Sequence, residues 1–181
     1  MKVTPTAIAD VLIIEPKMFG DSRGFFYESF KKKAFNQATG LDETFVQDNM
    51  SRSAYNVLRG LHYQVNNPQG KLVQVIAGEV FDVAVDLRKD SLSFGRWVGI
   101  TLSVANRLQV WIPPGFAHGF LVTSPSADVL CKTNQFYEPE HDRVIAWNDS
   151  SICIQWPLRG QPMLSAKDFD AHSRATAELL A

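Results

Sequence analysis

The strongest constraint on the fold of this chain is a recurring pattern of short apolar runs separated by glycine and proline residues. The clearest run is Glu79–Leu87, EVFDVAVDL, in which the odd-numbered positions after Glu79 are all apolar and the even-numbered positions include Asp82 and Asp86. Side chains alternate between the two faces of a β-strand. The pattern therefore predicts a strand with one face in an apolar core and the other face lining a polar cavity.

Similar runs along the chain predict an all-β protein. The predicted strands are Val11–Glu15, Gly24–Phe30, Phe45–Ser51, Val57–Gln64, Lys71–Ile76, Glu79–Leu87, Trp97–Leu102, Gln109–Ile112, Gly119–Thr123, Asp128–Asn134 and Ile145–Trp147. Only Lys31–Ala38 and the tail after Ser165, whose apolar residues include Leu179 and Leu180, have a helical pattern. Connections of about five to ten residues favour antiparallel pairing, and many short strands with little helix indicate a sandwich, jelly roll or small barrel.

Length and composition narrow the class of protein. The chain has 181 residues, of which 45% are hydrophobic and 20% charged, and we expect one globular domain over residues 1–181. Its 18 basic and 19 acidic residues nearly cancel, which argues against nucleic acid or a membrane surface as a partner. We expect a cytoplasmic protein, because no run approaches the ~20 apolar residues of a membrane span, no signal peptide is evident, and two cysteines suit free thiols in a reducing compartment.

Two histidines, His62 in RGLHYQ and His118 in PPGFAHGF, lie in apolar, glycine-rich strand contexts. Either each is a hydrogen-bonded core histidine, or both face one shared cavity. A metal site is not predicted, because Gln64 rather than histidine follows His62 at the second position and no three-ligand spacing is evident. A metal-free base requires a carboxylate that orients the imidazole. The spacing leaves three candidates for this carboxylate: Asp82, Asp86 and Asp168.

Two candidate site residues have competing structural explanations. Ser165 and Asp168 match a capping box at the start of the last helix, which by itself would account for this carboxylate. Arg59 lies inside an apolar strand, and a buried arginine requires an anion. Strict alternation puts Arg59 and His62 on opposite faces, so both reach one cavity only if the strand has a bulge near Gly60.

A series of motifs covers nearly the whole chain, in order, from Val11 to Asp168. The motifs are EPKMFGDSRGFFYES, FVQDNMSRS, NVLRGLHYQ, QGKLVQVIAGEVFDVAVDLR, SFGRWVG, WIPPGFAHGF, WND and LSAKD. This series closely resembles the dTDP-4-dehydrorhamnose 3,5-epimerase family. The resemblance implies a metal-free, cupin-like jelly roll and a homodimer that exchanges N-terminal strands. It also implies an isomerase of deoxysugar and O-antigen biosynthesis that acts on a nucleotide-linked 4-keto-6-deoxyglucose and needs no cofactor.

The resemblance also implies roles for individual residues. In the family, a base removes a proton next to the C4 ketone, and reprotonation from the other face inverts the carbon. His62 matches this base, Asp168 matches the carboxylate that orients it, and Lys71 matches the partner of the enolate oxygen. The positions that match substrate or nucleotide contacts are Gln47, Asn49, Arg59, His118, Phe136, Tyr137, Lys167 and Asp142, where relatives often carry a glutamate. The positions that match contacts supplied across the dimer are Arg23, Phe26 and Glu28.

Cys131, in VLCKTNQ, departs from the family pattern. The family carries a tyrosine at this position, as the acid that reprotonates the enolate. A thiol is more acidic than a phenol but shorter, so inversion of C3 alone, giving a D-configured 6-deoxysugar, is an alternative to inversion of both C3 and C5. A CDP or UDP carrier, a sugar-nucleotide ketoisomerase and a non-catalytic sugar-binding protein are further alternatives.

Overall fold

A computed structural model describes residues 1–179 of the chain. The strands are β1 (Lys2–Pro5), β2 (Leu12–Glu15), β3 (Phe19–Asp21), β4 (Gly24–Phe26), β5 (Gln47–Ala54), β6 (Leu58–Gln64), β7 (Lys71–Ala77), β8 (Glu79–Asp86), β9 (Trp97–Ser103), β10 (Gln109–Ile112), β11 (Phe116–Val122), β12 (Ser126–Thr133) and β13 (Asp142–Val144). The helices are α1 (Lys32–Thr39), α2 (Ala166–Phe169) and a short 3-10 helix at Pro139–His141. None of the helices within residues 1–179 is long and apolar enough to cross a membrane.

The strands form two antiparallel sheets that pack face to face. One sheet has the order β1-β2-β10-β7-β12-β5, and the other has the order β13-β6-β11-β8-β9. The main core lies between the sheets, where Val73 and Val110 of the first sheet join Val80, Leu102 and Phe120 of the second in one buried cluster. This arrangement confirms the predicted all-β sandwich or jelly roll, since sheet-on-sheet packing buries one face of each sheet.

The alternation in β8 has the predicted result. Val83 and Val85 belong to an apolar cluster on the outer face of the second sheet, which Ile152 and Trp156 of the C-terminal region cover. On the opposite face, Asp82 is buried and points into the space between the sheets. The outer face of β8 is therefore apolar and the inner face is mixed, because Asp82 lies between Val80 and Ala84 of the main core, as period-two patterning dictates.

Helix α1 covers part of the outer face of the first sheet. Phe35 of the helix is fully buried and packs in edge-to-face geometry against Trp111 of β10 and against Phe45. Such aromatic contacts combine a large buried area with favourable ring geometry. The helix ends at Gly40, whose left-handed backbone conformation provides the C-terminal cap.

The structure corrects three predicted elements. The helical pattern after Ser165 yields only the four residues of α2, because the segment beyond it lies against the second sheet and packs Ala177 onto the outer apolar cluster; Leu180 lies outside the described residues. The predicted strand Gly24–Phe30 ends at Phe26, where β4 turns away. The predicted strand Ile145–Trp147 is replaced by β13, and Ile145 keeps only an isolated bridge.

The hairpin β3–β4 stands apart from both sheets. It forms its own two-stranded sheet, and its aromatic residues Phe19, Phe25 and Phe26 are all at least half exposed. Strands β1 and β2, in contrast, pair with each other and with β10 of the same chain. The N-terminal segment that projects from the body is therefore the hairpin rather than the first two strands.

Candidate active site

A cavity of about 480 Å³ opens between the two sheets at one end of the sandwich. Strands β6 and β11 of one sheet and β5, β7 and β12 of the other contribute its walls. Of the predicted site residues, those that line this cavity are Asn49, Arg59, His62, Lys71, His118, Cys131, Tyr137, Asp142 and Lys167. The fold therefore brings together most of the chemically active side chains that the sequence indicates.

His62 and Asp168 form a hydrogen-bonded pair at the cavity. Nε2 of His62 lies 2.7 Å from Oδ1 of Asp168, which also accepts a hydrogen bond from the backbone N–H of Gly60. Burial acts to lower the pKa of His62, but the carboxylates of Asp142 and Asp168 outweigh it and raise this pKa above its ordinary value. An imidazole held by a carboxylate in this way serves as a general base through its other nitrogen.

Asp168 is both part of the N-terminal capping motif of α2, whose cap residue is Ser165, and the partner of His62. Its backbone N–H donates to Oγ of Ser165, and the Ser165 hydroxyl donates to Oδ2 of Asp168. The capping interpretation and the catalytic interpretation of this residue are therefore compatible, because the cap fixes the carboxylate that faces His62. Burial acts to raise the pKa of Asp168, yet the hydrogen bonds from His62 and Ser165 hold it below its ordinary value.

A bulge at Gly60 brings Arg59 to the cavity that His62 lines. In the pairing of β11 with β6, His118 faces His62 and Phe120 faces Arg59, so Gly119 alone opposes two residues. This bulge is where the sequence predicts it. Arg59 is nevertheless exposed at the cavity mouth rather than buried, because the cavity opens to solvent there; its Nε donates to Oγ of Ser53.

A second histidine–carboxylate pair lies beside the first. Nε2 of His118 is 2.8 Å from Oδ2 of Asp82, and both residues are buried. Asp82 was one of three possible partners for His62 by spacing; the structure assigns it to His118 instead. The third possible partner, Asp86, binds Arg88, Ser91 and Ser93 at the end of β8. The alternation of β8 thus predicts that Asp82 faces the site, but it does not predict that His118 is its partner.

Lys71 and Cys131 stand on the wall opposite the histidines. Lys71 is almost fully buried at the start of β7, and its Nζ donates to the carbonyl of His62 at 3.4 Å. Burial lowers the pKa of Lys71 and raises the pKa of the Cys131 thiol to about 11. Burial favours the neutral form of each group. At neutral pH the cavity therefore has a thiol rather than a thiolate on this wall.

Asp142 contacts both His62 and the two residues at the cavity mouth, Tyr137 and Lys167. Its Oδ2 accepts hydrogen bonds from the Tyr137 hydroxyl at 2.8 Å and from Nζ of Lys167, while Oδ1 lies 3.9 Å from Nδ1 of His62. The Asp142 side chain is 9% exposed. Burial acts to raise its pKa, but contacts with His62, Lys167 and Tyr137 hold it well below the usual range.

The remaining predicted residues lie outside the cavity wall of this chain. Gln47 supports the wall, since its Nε2 donates to Asn49 and its Oε1 accepts from the backbone N–H of Tyr137. Arg23 binds Asp21 within the exposed hairpin, Glu28 binds Lys31, and Phe26 is 65% exposed. The chain therefore presents the last three residues to solvent and not to its own cavity.

The arrangement suits proton transfer at carbon. The imidazole of His62, with Nδ1 free of hydrogen bonds to the described residues, stands on one side, and the Cys131 thiol and Nζ of Lys71 stand on the other. Within residues 1–179, no three His, Cys, Asp or Glu side chains come close enough together to hold a metal ion. General-base catalysis with a hydrogen-bond donor for the developing oxyanion is the chemistry that these residues can supply.

Comparison with known proteins identifies the family. A sequence model described as dTDP-4-dehydrorhamnose 3,5-epimerase matches residues 5–175. The enzymes of that name from Pseudomonas aeruginosa and Shigella flexneri are 56% and 55% identical to this chain, each over 98% of both chains. The dTDP-6-deoxy-D-glucose-3,5-epimerase of Legionella pneumophila, solved in complex with dTDP-4-keto-L-rhamnose, is 50% identical with a TM-score of 0.96, covering 99% of this chain and 97% of that one. The chain therefore belongs to the dTDP-4-dehydrorhamnose 3,5-epimerase family.

Proposed function

We propose that this protein epimerises dTDP-4-dehydro-6-deoxyglucose at C3 and C5, to give the precursor of L-rhamnose in deoxysugar biosynthesis. The observation that carries the proposal is the His62–Asp168 pair, which opens onto a cavity whose opposite wall holds Lys71 and Cys131. Membership of the family supports the reaction, and the product-like ligand in the Legionella pneumophila structure supports the substrate class.

His62 is the base in this proposal. Its Nδ1 takes the proton from the carbon next to the C4 ketone, and the electrons of the broken C–H bond form the C=C bond of an enolate with negative charge on the C4 oxygen. Asp168 holds Nε2–H and stabilises the imidazolium that forms. Nζ of Lys71 donates a hydrogen bond to the enolate oxygen, and the low dielectric of its buried position strengthens this interaction.

Cys131 is the proposed proton source on the face opposite His62. The thiol is protonated at neutral pH because burial raises its pKa to about 11. Transfer of the S–H proton to the enolate carbon inverts that carbon, and the thiolate regains a proton from water. His62 returns its own proton to solvent, so the net reaction is isomerisation and consumes no cofactor.

The nucleotide end of the substrate is assigned to the other side of the cavity mouth. Tyr137 and Lys167 are both about half exposed there. This exposure suits an aromatic contact between Tyr137 and the nucleobase and an ionic contact between Lys167 and the diphosphate. Asn49, Arg59 and His118 also face the cavity, and Gln47 donates a hydrogen bond to Asn49. These groups supply the donors that a sugar diphosphate requires.

We further propose a homodimer in which each hairpin β3–β4 reaches the partner's cavity. The hairpin exposes Phe19, Phe25 and Phe26, and a patch of exposed aromatic residues marks an interaction surface. Arg23 and Glu28 would then complete the partner's site, as the family resemblance implies. We place the enzyme in the cytoplasm, where Cys131 and Cys153, both free, remain reduced.

The test is NMR spectroscopy of dTDP-4-dehydro-6-deoxyglucose incubated with the protein in deuterated water. We expect deuterium at C3 and C5 and inversion of both centres. His62→Ala is expected to abolish exchange, whereas the control His172→Ala, an exposed histidine outside the cavity, is expected to leave it intact. Cys131→Ala is expected to retain exchange, since the base remains, but to slow inversion.

Other outcomes of this experiment separate the alternatives. Inversion of C3 alone would identify a single-centre epimerase, and movement of the ketone from C4 would identify a ketoisomerase. Exchange that persists in His62→Ala would remove His62 as the base, and no exchange with wild-type protein would leave a sugar-binding role. Parallel reactions with the CDP-linked and UDP-linked sugars test the proposed dTDP carrier.

A further inference from the structure

The base of this site lies between two carboxylates, and only one of them belongs to the His62–Asp168 pair. Asp142 approaches the opposite edge of the ring, with Oδ1 3.9 Å from Nδ1, the nitrogen that must take the substrate proton. At this distance the two atoms are too far apart for a hydrogen bond, and they form an ion pair when the ring is protonated. The charge of Asp142 therefore acts on the basicity of His62 without occupying Nδ1.

The other oxygen of Asp142 is held by two residues of the nucleotide end of the cavity. Tyr137 donates its hydroxyl and Lys167 donates its ammonium group to Oδ2. Both donors are about half exposed, whereas Asp142 itself is largely buried. The buried carboxylate of Asp142 thus faces His62 with Oδ1 and accepts hydrogen bonds from the half-exposed Tyr137 and Lys167 with Oδ2.

We propose that Asp142 is a positioning residue that couples nucleotide binding to His62. When the diphosphate binds Lys167, Asp142 loses its ion pair with Lys167, and its charge then acts mainly on the imidazole. This inference rests on the proposed function, because it takes Lys167 and Tyr137 as nucleotide contacts. In the free protein, Lys167 neutralises much of the Asp142 charge. With nucleotide bound, His62 becomes a stronger base.

The groups around His62 make the direction of the effect definite. Asp168 on α2 and Asp142 on β13 raise the pKa of His62, and Lys71 on β7 lowers it, while His118 on β11 faces it across the strand pair. An opposite charge within about 4–6 Å shifts a pKa by roughly 1–3 units. Loss of the Asp142 charge therefore lowers the pKa of His62, and loss of its competitor Lys167 raises it.

The test is an NMR titration of the His62 ring in the full-length protein, with dTDP as the probe. In wild type we expect saturating dTDP to raise the pKa of His62 by about one unit. Asp142→Asn is expected to lower this pKa without nucleotide and to remove most of the rise on binding. The rise that remains in Asp142→Asn is the direct effect of the diphosphate charge. Asp170→Asn, an exposed aspartate outside the main cavity, is the control and is expected to titrate like wild type.

Lys167→Ala provides a second arm that needs no nucleotide. We expect it to raise the pKa of His62 in the wild-type background and to change it little in the Asp142→Asn background, since the effect passes through Asp142. Asp142→Glu is expected to keep the coupling. Equal dTDP-induced rises in wild type and Asp142→Asn, or equal effects of Lys167→Ala in both backgrounds, would overturn the proposal. If the protein shows this coupling but no epimerisation, the result contradicts the proposed function and leaves the coupling through Asp142 in place.

Discussion

At the scale of single residues, the main consequence of the structure is that the pKa of His62 is determined by its neighbours. Burial by itself would lower this pKa, and the two nearby carboxylates reverse that effect. The neutral ring is the active base, so activity is lost as pH falls through the raised pKa of His62. The environment thus sets both the strength of the base and the pH at which it works.

Asp168→Asn tests this relation directly. The amide keeps the shape of the side chain but removes the charge that helps to raise the pKa of His62. We expect the acidic limb of the kcat/KM profile to move to lower pH and kcat at neutral pH to fall by about 10²–10⁴-fold, the usual contribution of an oriented base. The measurement is a pH–rate profile of both proteins.

A specific pattern of results would contradict the assigned role of Asp168. If the rate fell but the acidic limb stayed at its wild-type pH, the Asp168 carboxylate would serve only to hold Ser165, the N-cap of α2, through the Ser165 hydroxyl. A urea unfolding curve for the variant separates this case, because weakening the Ser165 cap lowers the free energy of unfolding by up to about 1 kcal/mol. Asp170→Asn again supplies the matched control.

At the scale of elements, the bulge between β6 and β11 is what allows one cavity to contain both Arg59 and His62. Gly60 has a φ of +128°, and a Cβ built there would lie 2.6 Å from Cα of Gly119. Another residue at this position would both strain the backbone and push the two strands apart. The bulge is therefore a requirement of the site as well as of the sheet.

Gly60→Ala is expected to destabilise the protein and to reduce activity together. The strained φ alone costs about 1–3 kcal/mol, and the clash with β11 adds to it and displaces His118 from its register with His62. Gly160→Ala is the control for backbone strain alone, since Gly160 also has a positive φ but no atom within 4 Å of a built Cβ. Urea unfolding and kcat measure both effects. Loss of stability with unchanged kcat would show that the bulge does not set the site geometry.

Much of the fold and part of the site follow from the sequence, for identifiable physical reasons. Period-two alternation predicts β8 and its two faces, and the conflict between that alternation and a shared cavity predicts the bulge at Gly60. The predicted tail helix extends only over Ala166–Phe169, because apolar residues further on, such as Ala177, pack on a sheet and this long-range contact overrides the local pattern. The partner of Asp82 depended on the register of β8 and β11, which no local pattern encodes.

At the scale of the whole molecule, a single chain presents its hairpin β3–β4 to solvent and leaves its cavity open at one end. Arg23 lies in this hairpin and not at the cavity of its own chain. Under the proposed dimer, each site combines His62 of one subunit with Arg23 of the other. In a closed two-fold dimer this exchange is reciprocal, so both sites are completed in the same way.

Mixed dimers of Arg23→Ala and His62→Ala distinguish this arrangement from a site built by one chain. Each variant alone is expected to have little activity. In a heterodimer, the Arg23→Ala subunit keeps His62 and receives Arg23 from its partner, so one of the two sites is intact. The heterodimer is therefore expected to have about one half of the wild-type activity per chain. The measurement is kcat of co-expressed protein purified through two different affinity tags.

The opposite geometry gives a different result in the same experiment. If Arg23 served the cavity of its own chain, every site in the mixture would lack either Arg23 or His62, and activity would stay at the level of the single variants. Sedimentation analysis of the wild type supplies the independent control, since a monomer at assay concentration would also give no restoration. Restored activity in the purified heterodimer therefore requires that the exposed hairpin act in the partner's site, which accounts for exposed Phe25 and Phe26 as interface residues.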